Sequence, residues 1–437
     1  MALDDDPTGT QTVHDVWVLT SWEPSGLVKA LSAGEPALYI LTNSRSLPLS
    51  EAQALNQTVA IHLLQAARQV GRPLTVVSRS DSTLRGHYPG EVDALSEALV
   101  AEQGTPFDGL CLIPFFAEGE RFTIHNIHWV QEGTRLVPAA QTPYARDPAF
   151  GYQHSYLPEW VEEKTGGKTR ASQVMTISLE TLRRGGPQAA ADQLRLAYNG
   201  RVIIVNAAEE RDLEVFTLGL AQVEGEGRRF LFRSAASFVK VAAGINDRPL
   251  LTQQELVGGR PPGGSLIVFG SFVPRSSAQL EAARSLPGVT AVELPVPEVI
   301  EPGQREPAIE KAADSLNRAL QENRDALIFT SREVIQGESQ SASLAIGRQV
   351  SEALVEVVRR VRHQPRYILG KGGITSSDLA TAALNVRAAR VLGQVHPGVP
   401  VWSLGPGSRW PGVPYIIFPG NVGNPATVAE IISKLRR

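Results

Sequence analysis

Cysteine is almost absent from this sequence, since one residue, Cys111, occurs among 437. A single cysteine excludes an intrachain disulfide framework. Cys111 lies in the apolar run 110–113, so we interpret it as a small buried hydrophobic residue and not as a reactive thiol. The folded protein is therefore stabilised by packing and hydrogen bonding and not by disulfides.

Long apolar runs and an excess of positive charge are also missing. No apolar run reaches the roughly 18 residues that a membrane-spanning helix needs. The acidic N-terminus lacks the basic and apolar regions of a signal peptide. The net charge of −3 provides no general attraction to nucleic acid or to a membrane surface. We therefore expect a cytoplasmic protein whose partners include neither nucleic acid nor a membrane.

The length of the chain points to more than one domain. Its 437 residues exceed the roughly 250–300 at which a single hydrophobic core stops growing. A segment rich in glycine and proline, 248–264, interrupts the chain and is typical of an exposed connection. We predict an N-terminal domain over 1–245, a linker over 246–264 and a C-terminal domain over 265–437.

Short apolar segments alternate with helical patterns along both halves. Segments 37–41, 74–77 and 109–114 read as buried strands, and 50–70 reads as a long helix beginning near Ser50. This alternation predicts an α/β protein in which each domain has a mostly parallel sheet flanked by helices. Ligands of such sheets bind outside the carboxyl ends of the strands. We expect the active site in the cleft between the two domains.

The most unusual stretch is acidic and lies at the start of the chain, where Asp4, Asp5 and Asp6 precede a hydroxyl-rich turn at 7–12. Three adjacent carboxylates need a metal ion, a cation or hydrogen-bond donors if they are buried. The apolar lead of residues 1–3 is short, so we expect either a very short strand or the loss of the first few residues. A solvated acidic tail is the alternative to a polar-ligand site.

Two more polar clusters follow predicted strands. Arg45 comes after 37–41, and the segment 78–87 comes after 74–77. The second cluster combines cations, an acid and hydroxyls at Arg79, Ser80, Asp81, Ser82, Thr83 and Arg85. Arginine can clamp a carboxylate through paired hydrogen bonds, and aspartate and serine bind hydroxyls. The clusters predict a small, anionic, hydroxylated substrate; loop-stabilising Arg–Asp ion pairs are the alternative.

The C-terminal domain has three glycine turns at predicted strand ends: 270–272, 370–378 and 419–424. Glycines let the backbone approach a phosphate, and Lys371 in the second turn could neutralise one. The order of residues matches neither the P-loop nor the dinucleotide-binding pattern. Each turn alone could be a tight connection between strand and helix. Together they predict a nucleotide site.

Two segments of the N-terminal domain carry aromatic residues or histidines without a clear ligand pattern. The predicted loop 115–128 contains His125 and His128, but no third ligand follows at a suitable spacing, and we leave the presence of a metal site open. Residues 143–168 are rich in aromatic side chains and have no clear period. We predict an irregular excursion that packs over the sheet.

The chain resembles the four-carbon acid sugar kinase family over nearly its whole length. The motifs that carry the resemblance are 4–13, 78–93, 370–378 and the FPGNVGN run at 418–424, and SDSTLRG at 80–86 is the most specific. Members of this family phosphorylate acids such as threonate, erythronate and 3-oxo-tetronate with ATP. The acidic turn and the excursion at 150–164 depart from the better-known members, which affects the predicted substrate more than the reaction.

The resemblance implies site residues in both domains. It implies substrate contacts at Asp5, Arg45, Ser80, Asp81, Ser82 and Thr83. It implies nucleotide contacts at Ser271, Gly372, Gly373, Ile374, Thr375, Gly420 and the neighbouring Asn421 of the last motif. The cofactors would be ATP and Mg²⁺, with the metal bridging the phosphates.

These residues lead to a hypothesis for the reaction. Arg45 and Arg85 are candidates to bind the substrate carboxylate, Asp5 or Asp81 would orient the attacking hydroxyl and accept its proton, and Lys371 would face phosphate. One alternative is a haloacid-dehalogenase-like phosphatase, because Asp4, Asp6 and Thr8 fit its motif. Another is a non-catalytic nucleotide sensor. A homodimer is possible on the sequence, which does not fix the oligomeric state.

Overall fold

The computed structural model describes residues 1–271, 273–332, 335, 340–420 and 422–436, with the backbone alone for 340–344. The chain forms two compact units, Met1–Asp247 and Arg248–Arg437. Two residues of the predicted glycine turns, Phe272 and Asn421, lie outside the described residues.

The first unit contains an eight-stranded parallel sheet with the order β2-β3-β1-β4-β11-β5-β10-β9. Its strands are β1 (Ala2–Asp4), β2 (Trp17–Leu19), β3 (Leu38–Leu41), β4 (Val77–Arg79), β5 (Gly109–Ile113), β9 (Met175–Ile177), β10 (Arg201–Val205) and β11 (Phe230–Ser234). Ala2 and Leu3 of the short lead form a strand together with Asp4, and this strand pairs on both sides, with β3 and with β4. All three residues of β1 are buried.

Helices connect these strands and cover the sheet. They are α1 (Pro24–Ser32), α2 (Leu49–Val70), α3 (Gly90–Gln103), α4 (Leu157–Lys164), α5 (Leu179–Arg195), α6 (Glu210–Gly225) and α7 (Ala236–Ala242). The longest, α2, buries one apolar face and ends at Gly71, whose positive φ of 70° suits a left-handed cap. It begins at Leu49, one residue before the predicted start near Ser50, and Pro48 occupies the N-cap position.

The loop predicted at 115–128 is instead part of a small antiparallel sheet, which corrects that prediction. The sheet has the order β6-β7-β8, with β6 (Arg121–Ile124), β7 (Ile127–Glu132) and β8 (Arg135–Pro138). His125 and Asn126 form its first turn with positive φ values of 53° and 63°. Polar side chains on β6 and β7 masked the strand pattern in the sequence. The excursion at 143–168 contains α4 and a short 3₁₀ turn at Pro143–Arg146.

The described residues of the second unit form seven strands: β12 (Leu266–Phe269), β13 (Val289–Leu294), β14 (Asp325–Thr330), β15 (Ile368–Lys371), β16 (Ala388–His396), β17 (Val399–Leu404) and β18 (Pro414–Phe418). Their order is β13-β14-β12-β15-β18-β17-β16. The first five in this order are parallel, and β17 and β16 add antiparallel pairs at one side. The predicted mixed α/β class with mostly parallel sheets is confirmed in both units.

The helices of the second unit are α8 (Gln253–Val257), α9 (Pro274–Arg284), α10 (Val296–Ile300), α11 (Pro302–Gln321), α12 (Gln340–Arg359), α13 (Gly373–Asp378) and α14 (Thr427–Arg436). A π-helical turn, Leu379–Ala383, follows α13. In the described parts of the chain, no helix is both long and apolar enough to cross a membrane.

The segment expected to be an exposed linker is partly built into the second unit. Thr252 caps α8 through the backbone N–H of Glu255, and Glu255 in turn accepts from the Thr252 N–H. Leu251, Leu256 and Val257 are buried in the hydrophobic core of this unit. Glycine and proline at 258–264 gave this segment the composition of a linker, but the three apolar residues before them pack as core.

Candidate functional site

The carboxyl ends of β3, β1 and β4 bring the charged clusters of the first unit together. These strands are neighbours in the sheet, and each continues into polar residues. The acidic turn follows β1, Arg45 lies in a 3₁₀ turn after β3, and the 80–86 loop follows β4. Because parallel strands end at one edge, residues distant in sequence meet there.

Asp4 is the structural anchor of the acidic turn. Its carboxylate is 2% exposed and forms an ion pair of 2.8 Å with Arg79. The turn closes directly over this carboxylate at Gly9, where a side-chain carbon would overlap it. Burial raises the pKa of Asp4 to about 7 against the opposing charge of Arg79. An acid sealed in this way is not accessible to substrate, which argues against Asp4 as a phosphatase nucleophile.

Asp5 is buried at the same edge but meets several donors. Its Oδ1 accepts from Arg45 Nη2 at 3.2 Å and lies 3.6 Å from Arg79 Nη1, and its Oδ2 accepts from Ser80 Oγ at 3.0 Å. Burial raises the pKa of Asp5 above its ordinary value, while Arg45 and Arg79 oppose this effect. A carboxylate with increased proton affinity beside hydroxyl-binding groups is suited to accept a proton.

Asp6 caps the 3₁₀ turn that closes the site. Its Oδ1 accepts from the Thr8 backbone N–H at 2.8 Å and from the Thr8 hydroxyl at 2.6 Å. Arg45 Nη2 lies 3.0 Å from Asp6 Oδ2. Burial acts to raise the pKa of Asp6, but Arg45 and the hydrogen bonds from Thr8 outweigh it and keep the pKa below its ordinary value. Asp6 therefore remains an anion that holds the turn and Arg45.

Asp81 is held as an anion by strong donors. Arg85 donates to both of its oxygens, from Nε at 2.8 Å and from Nη2 at 3.3 Å, and the Thr83 hydroxyl also donates to Oδ2. Arg45 Nη1 lies 3.4 Å from its Oδ1. Burial acts to raise the pKa of Asp81, but Arg85 and Arg45 hold it well below the ordinary range. Such a carboxylate is a weak base.

The aromatic excursion and the small antiparallel sheet hold the 80–86 loop. The carbonyl of Ser82 accepts from His128 Nε2 at 2.7 Å, and the carbonyl of Thr83 accepts from the Tyr152 hydroxyl at 2.8 Å. Burial lowers the pKa of His128 to about 4, so this imidazole is neutral. Across the described residues, no group of three His, Cys, Asp or Glu side chains could hold a metal ion.

Sequence reasoning missed two buried charged residues of this site. Arg233 lies in β11, and its Nη2 donates to Ser80 Oγ at 3.0 Å. Glu91 lies in α3 and accepts from Asn56 Nδ2 at 3.1 Å, and burial raises its pKa. A signal for Arg233 was available, because an arginine inside the apolar strand Phe230–Ser234 has no reason to be buried unless it has polar partners.

In the second unit, the carboxyl ends of β12, β15 and β18 are adjacent and carry the three glycine turns. Ser271 Oγ accepts from Ser276 Oγ at 2.9 Å, and a side-chain carbon at Gly420 would lie 3.6 Å from Ser271 Oγ. Gly372 has a φ of 111° and donates its backbone N–H to the Phe418 carbonyl at 2.8 Å. Ser271, Gly372 and Gly420 therefore converge at one place.

The start of α13 completes this turn cluster. Gly373 opens the helix, and the side chain of Ile374 is largely exposed. Thr375 fills the space next to Gly270, where a side-chain carbon would overlap its hydroxyl. The backbone here has the freedom and the open surface that a phosphate-binding turn requires.

The structure places Lys371 behind the turns and not on their open face. The residue is 0% exposed, and its Nζ donates to the Pro419 carbonyl and lies 4.3 Å from the centre of the Phe418 ring. Burial lowers the pKa of Lys371 to about 7. The expectation that Lys371 faces phosphate does not fit this position, because its ammonium group is directed at the backbone of the last glycine turn.

Comparison with known families matches both halves of the chain. Residues 1–242 match a family described as a sugar-binding N-terminal domain, and residues 266–428 match one described as a nucleotide-binding C-terminal domain. The chain belongs to the four-carbon acid sugar kinase family. The resemblance seen in the sequence motifs is thereby confirmed.

Individual relatives of this kinase family are distant in sequence. The D-erythronate kinase of Heliobacterium modesticaldum (strain ATCC 51547 / Ice1) is 23% identical over 406 residues, which cover 89% of this chain and 84% of that protein. A Salmonella typhimurium LT2 structure described as a tRNA synthase is 17% identical with a TM-score of 0.70, covering 100% of this chain and 98% of that one.

A second solved structure extends the same likeness. Haemophilus influenzae protein HI1011 is 16% identical with a TM-score of 0.65, and the comparison covers 99% of both chains. At such low identity, these two structures establish a shared fold and nothing about the ligand of this family member.

Proposed function

We propose that this protein transfers the γ-phosphate of ATP to a hydroxyl of a small four-carbon sugar acid of the threonate, erythronate or 3-oxo-tetronate type. Support comes from the family's sugar-binding and nucleotide-binding domains and from the D-erythronate kinase among its relatives. The transfer needs a nucleotide held by the second unit and an acid held by the first.

The buried charge cluster at the end of β1 carries this proposal. Three arginines and four aspartates form one connected network of ion pairs at one sheet edge: Arg45, Arg79 and Arg85, with Asp4, Asp5, Asp6 and Asp81. Desolvating so many charges is costly, and a network of this kind at strand ends is typical of a ligand site. Its hydroxyls and cations match an acid that carries several hydroxyl groups.

Within this cluster we assign Asp5 as the proton acceptor. The substrate hydroxyl oxygen attacks the γ-phosphorus, its proton passes to the Asp5 carboxylate, and the bond to the bridging oxygen of ADP breaks with the electron pair leaving on ADP. The raised pKa of Asp5 and the depressed pKa of Asp81 favour Asp5 for this role. Arg45 and Arg85 would then bind the substrate carboxylate.

For the nucleotide we propose contacts at Ser271, the turn Gly372–Thr375 and Gly420. Lys371 would support them by holding the Pro419 carbonyl, and not by direct contact with phosphate. Mg²⁺ that enters with the nucleotide would supply positive charge to offset the charge that develops on the phosphates. We assign no protein ligand to the metal, since the described residues contain no carboxylate cluster that fits one.

The decisive experiment measures ADP release from ATP and Mg²⁺ in the presence of a panel of four-carbon sugar acids. The proposal requires acid-dependent ADP formation and a phosphorylated acid detectable by mass spectrometry. Nucleotide binding without ADP release for every acid would instead favour a nucleotide-sensing protein. Release of phosphate from phosphorylated acids without ATP would favour a phosphatase.

We predict that Asp5→Asn lowers kcat by about 10²–10⁴-fold, because it removes the proton acceptor. Thermal unfolding should change little by comparison, since the asparagine oxygen still accepts from Arg45 and its Nδ2 can donate to Ser80 Oγ. The matched control is Asp15→Asn, a change at an exposed position of the same unit, which should leave kcat unchanged. An Asp5→Asn enzyme that turns over at the normal rate would remove Asp5 from the mechanism.

A further inference from the structure

Arg233 has a buried guanidinium group. It is 3% exposed, and among the described residues no carboxylate forms an ion pair with it within 4 Å. Its guanidinium carbon lies 5.3 Å from the ring centre of Tyr88 and 5.5 Å from that of Trp160. Aromatic faces stabilise a cation but do not replace an acid, so this position is costly for a residue that only fills space.

The donors of Arg233 lead to the proposed proton acceptor. Its Nη2 donates to Ser80 Oγ at 3.0 Å, and Ser80 Oγ donates to Asp5 Oδ2 at 3.0 Å. A hydroxyl has one proton, so a serine that accepts from Arg233 has its own proton available for Asp5. Arg233 Nη2 also donates to the Arg85 carbonyl at 3.1 Å, which fixes the guanidinium to the 80–86 loop.

The absence of a side chain at Gly86 leaves room for this chain of hydrogen bonds. A side-chain carbon at Gly86 would lie 3.1 Å from Ser80 Oγ and 3.3 Å from Asp5 Oδ2, and the φ of 116° disfavours any other residue. The loop therefore passes close to Ser80 and Asp5 without filling the space at the carboxylate. This arrangement holds the Asp5 carboxylate in one orientation.

We propose that Arg233 is a positioning residue for Asp5, acting through Ser80 to orient the carboxylate and to keep it ionised between turnovers. This inference rests on the proposed function of Asp5. Trp160 of the aromatic excursion and Tyr88 then have a role as well, because they hold the guanidinium of Arg233 in line with Ser80.

The charges that face Asp5 come from every element around it: Asp4, Asp6, Arg45, Arg79, Asp81, Glu91 and Arg233. Arg45 and Arg79 contact the acid directly, whereas Arg233 acts through a hydroxyl. Removal of any of these cations increases the proton affinity of Asp5, since a nearby positive charge favours the carboxylate form. As pH falls, an enzyme that needs ionised Asp5 then begins to lose activity at a higher pH than the wild type does.

The test compares the pH profile of kcat/KM in wild type, Arg233→Met, Arg233→Lys and Ser80→Ala. Arg233→Met should move the acidic limb to higher pH by about one pH unit. Arg233→Lys should restore most of the wild-type profile, and Ser80→Ala should shift it as Arg233→Met does. The matched control is Arg183→Met, which removes a half-exposed arginine paired with Asp212 elsewhere in the unit and should cause no shift.

Two outcomes overturn the inference. The first is that Arg233→Met lowers thermal stability while the acidic limb of the pH profile of kcat/KM stays at its wild-type position, which is the result expected of a purely structural residue. Arg233→Lys could also fail to restore a shift that Arg233→Met produces. Tyr88 and Trp160 stack on each other with ring centres 4.8 Å apart, and methionine at position 233 keeps apolar contact with this pair, so we expect the variant to fold.

A second measurement separates this inference from the proposed function. If wild-type protein phosphorylates none of the acids, the ¹³C carboxyl resonance of Asp5, assigned by its loss in Asp5→Asn, is titrated by NMR in wild type and Arg233→Met. A higher Asp5 pKa in the variant supports the role of Arg233 without any activity. An equal Asp5 pKa in both proteins overturns it.

Discussion

Three consecutive aspartates in this protein have three different environments. Asp4 points beneath the turn at Gly9 and pairs with Arg79, Asp5 meets Ser80 and Arg45, and Asp6 caps its own turn. Their pKa values accordingly move apart, with Asp4 and Asp5 above the ordinary range and Asp6 below it. Burial acts on all three, so the number and closeness of the donors decide the direction.

Asp81 provides a test of this reasoning through stability. Its folded-state pKa lies well below the unfolded value of about 4, so its contribution is complete above roughly pH 5 and decreases as pH falls. We predict that Asp81→Asn costs about 2–3 kcal/mol at pH 7 in urea unfolding. The difference from wild type should be about 1 kcal/mol smaller at pH 3.

The control for this prediction is Asp192→Asn, which removes an exposed partner of Arg195. Exposed ion pairs contribute little, so its effect should stay below about 0.5 kcal/mol at both pH values. A pH-independent cost of Asp81→Asn would mean that Asp81 is equally protonated in the folded and unfolded states.

At the scale of elements, the site depends on strand ends more than on helices. β1 is only three residues long, yet its pairing with β3 and β4 places the acidic turn between Arg45 and Ser80. In the second unit, β12, β15 and β18 bring three glycine turns together in the same way. The next helix follows closely after β12 and β15, at Pro274 and Gly373, whereas α14 begins only at Thr427, well after β18 ends at Phe418.

Lys371 in β15 supports the last glycine turn through the Pro419 carbonyl. We expect Lys371→Met to weaken ADP binding by about tenfold in calorimetry, because the Pro419 carbonyl loses its donor and the turn at Gly420 loosens while the packing on Phe418 persists. The matched control is Lys434→Met, whose Nζ donates to the Leu251 carbonyl in the same unit. Equal ADP affinity in wild type and Lys371→Met would exclude this positioning role.

Lys371→Met should also change how the free energy of unfolding depends on pH. Burial lowers the folded-state pKa of Lys371 to about 7, and the unfolded value is about 10.4, so the unfolded chain binds more protons between these values. Wild-type stability should therefore rise relative to Lys371→Met as pH increases from 7 to 9. A constant difference across this range would show that Lys371 has an ordinary pKa when folded.

In the molecule as a whole, each unit has its own set of mostly parallel strands and its own cluster of candidate ligand residues. The family matches divide in the same way, with one sugar-binding and one nucleotide-binding description. The two binding functions should therefore respond separately to substitution, although catalysis requires both.

We predict that Arg45→Met weakens binding of the sugar acid at least tenfold without changing the Kd for ADP. Gly372→Val should do the reverse, because a branched side chain is strained at a φ of 111° and crowds Ser271. Calorimetry with each ligand alone measures both effects. A loss of ADP binding in Arg45→Met would contradict the separation of the two sites.

Much of the fold and of the candidate site could be predicted from the sequence. The alternation of apolar strands and helices predicted the α/β fold, because a buried parallel strand is a short apolar run that can be recognised without knowing which strand it pairs with. The acidic turn, Arg45 and the 80–86 segment could be assigned to one edge, because strand ends in a parallel sheet share an edge. The strands β6 and β7 and the burial of Leu251, Leu256 and Val257 could not be predicted in this way, since local composition does not show which polar strands pair or which apolar residues join a core.

Tertiary structure decided what composition and spacing could not. The order of strands placed Arg233, more than 150 positions along the chain from Ser80, within hydrogen-bond distance of it. It also distinguished Asp5 from Asp81 and turned Lys371 away from the open face of the glycine turns. Sequence by itself determined the fold class and the chemical character of the clusters, because these follow from local patterns. Proton affinities and hydrogen-bond chains depend on burial and on distant partners, which exist only in the folded chain.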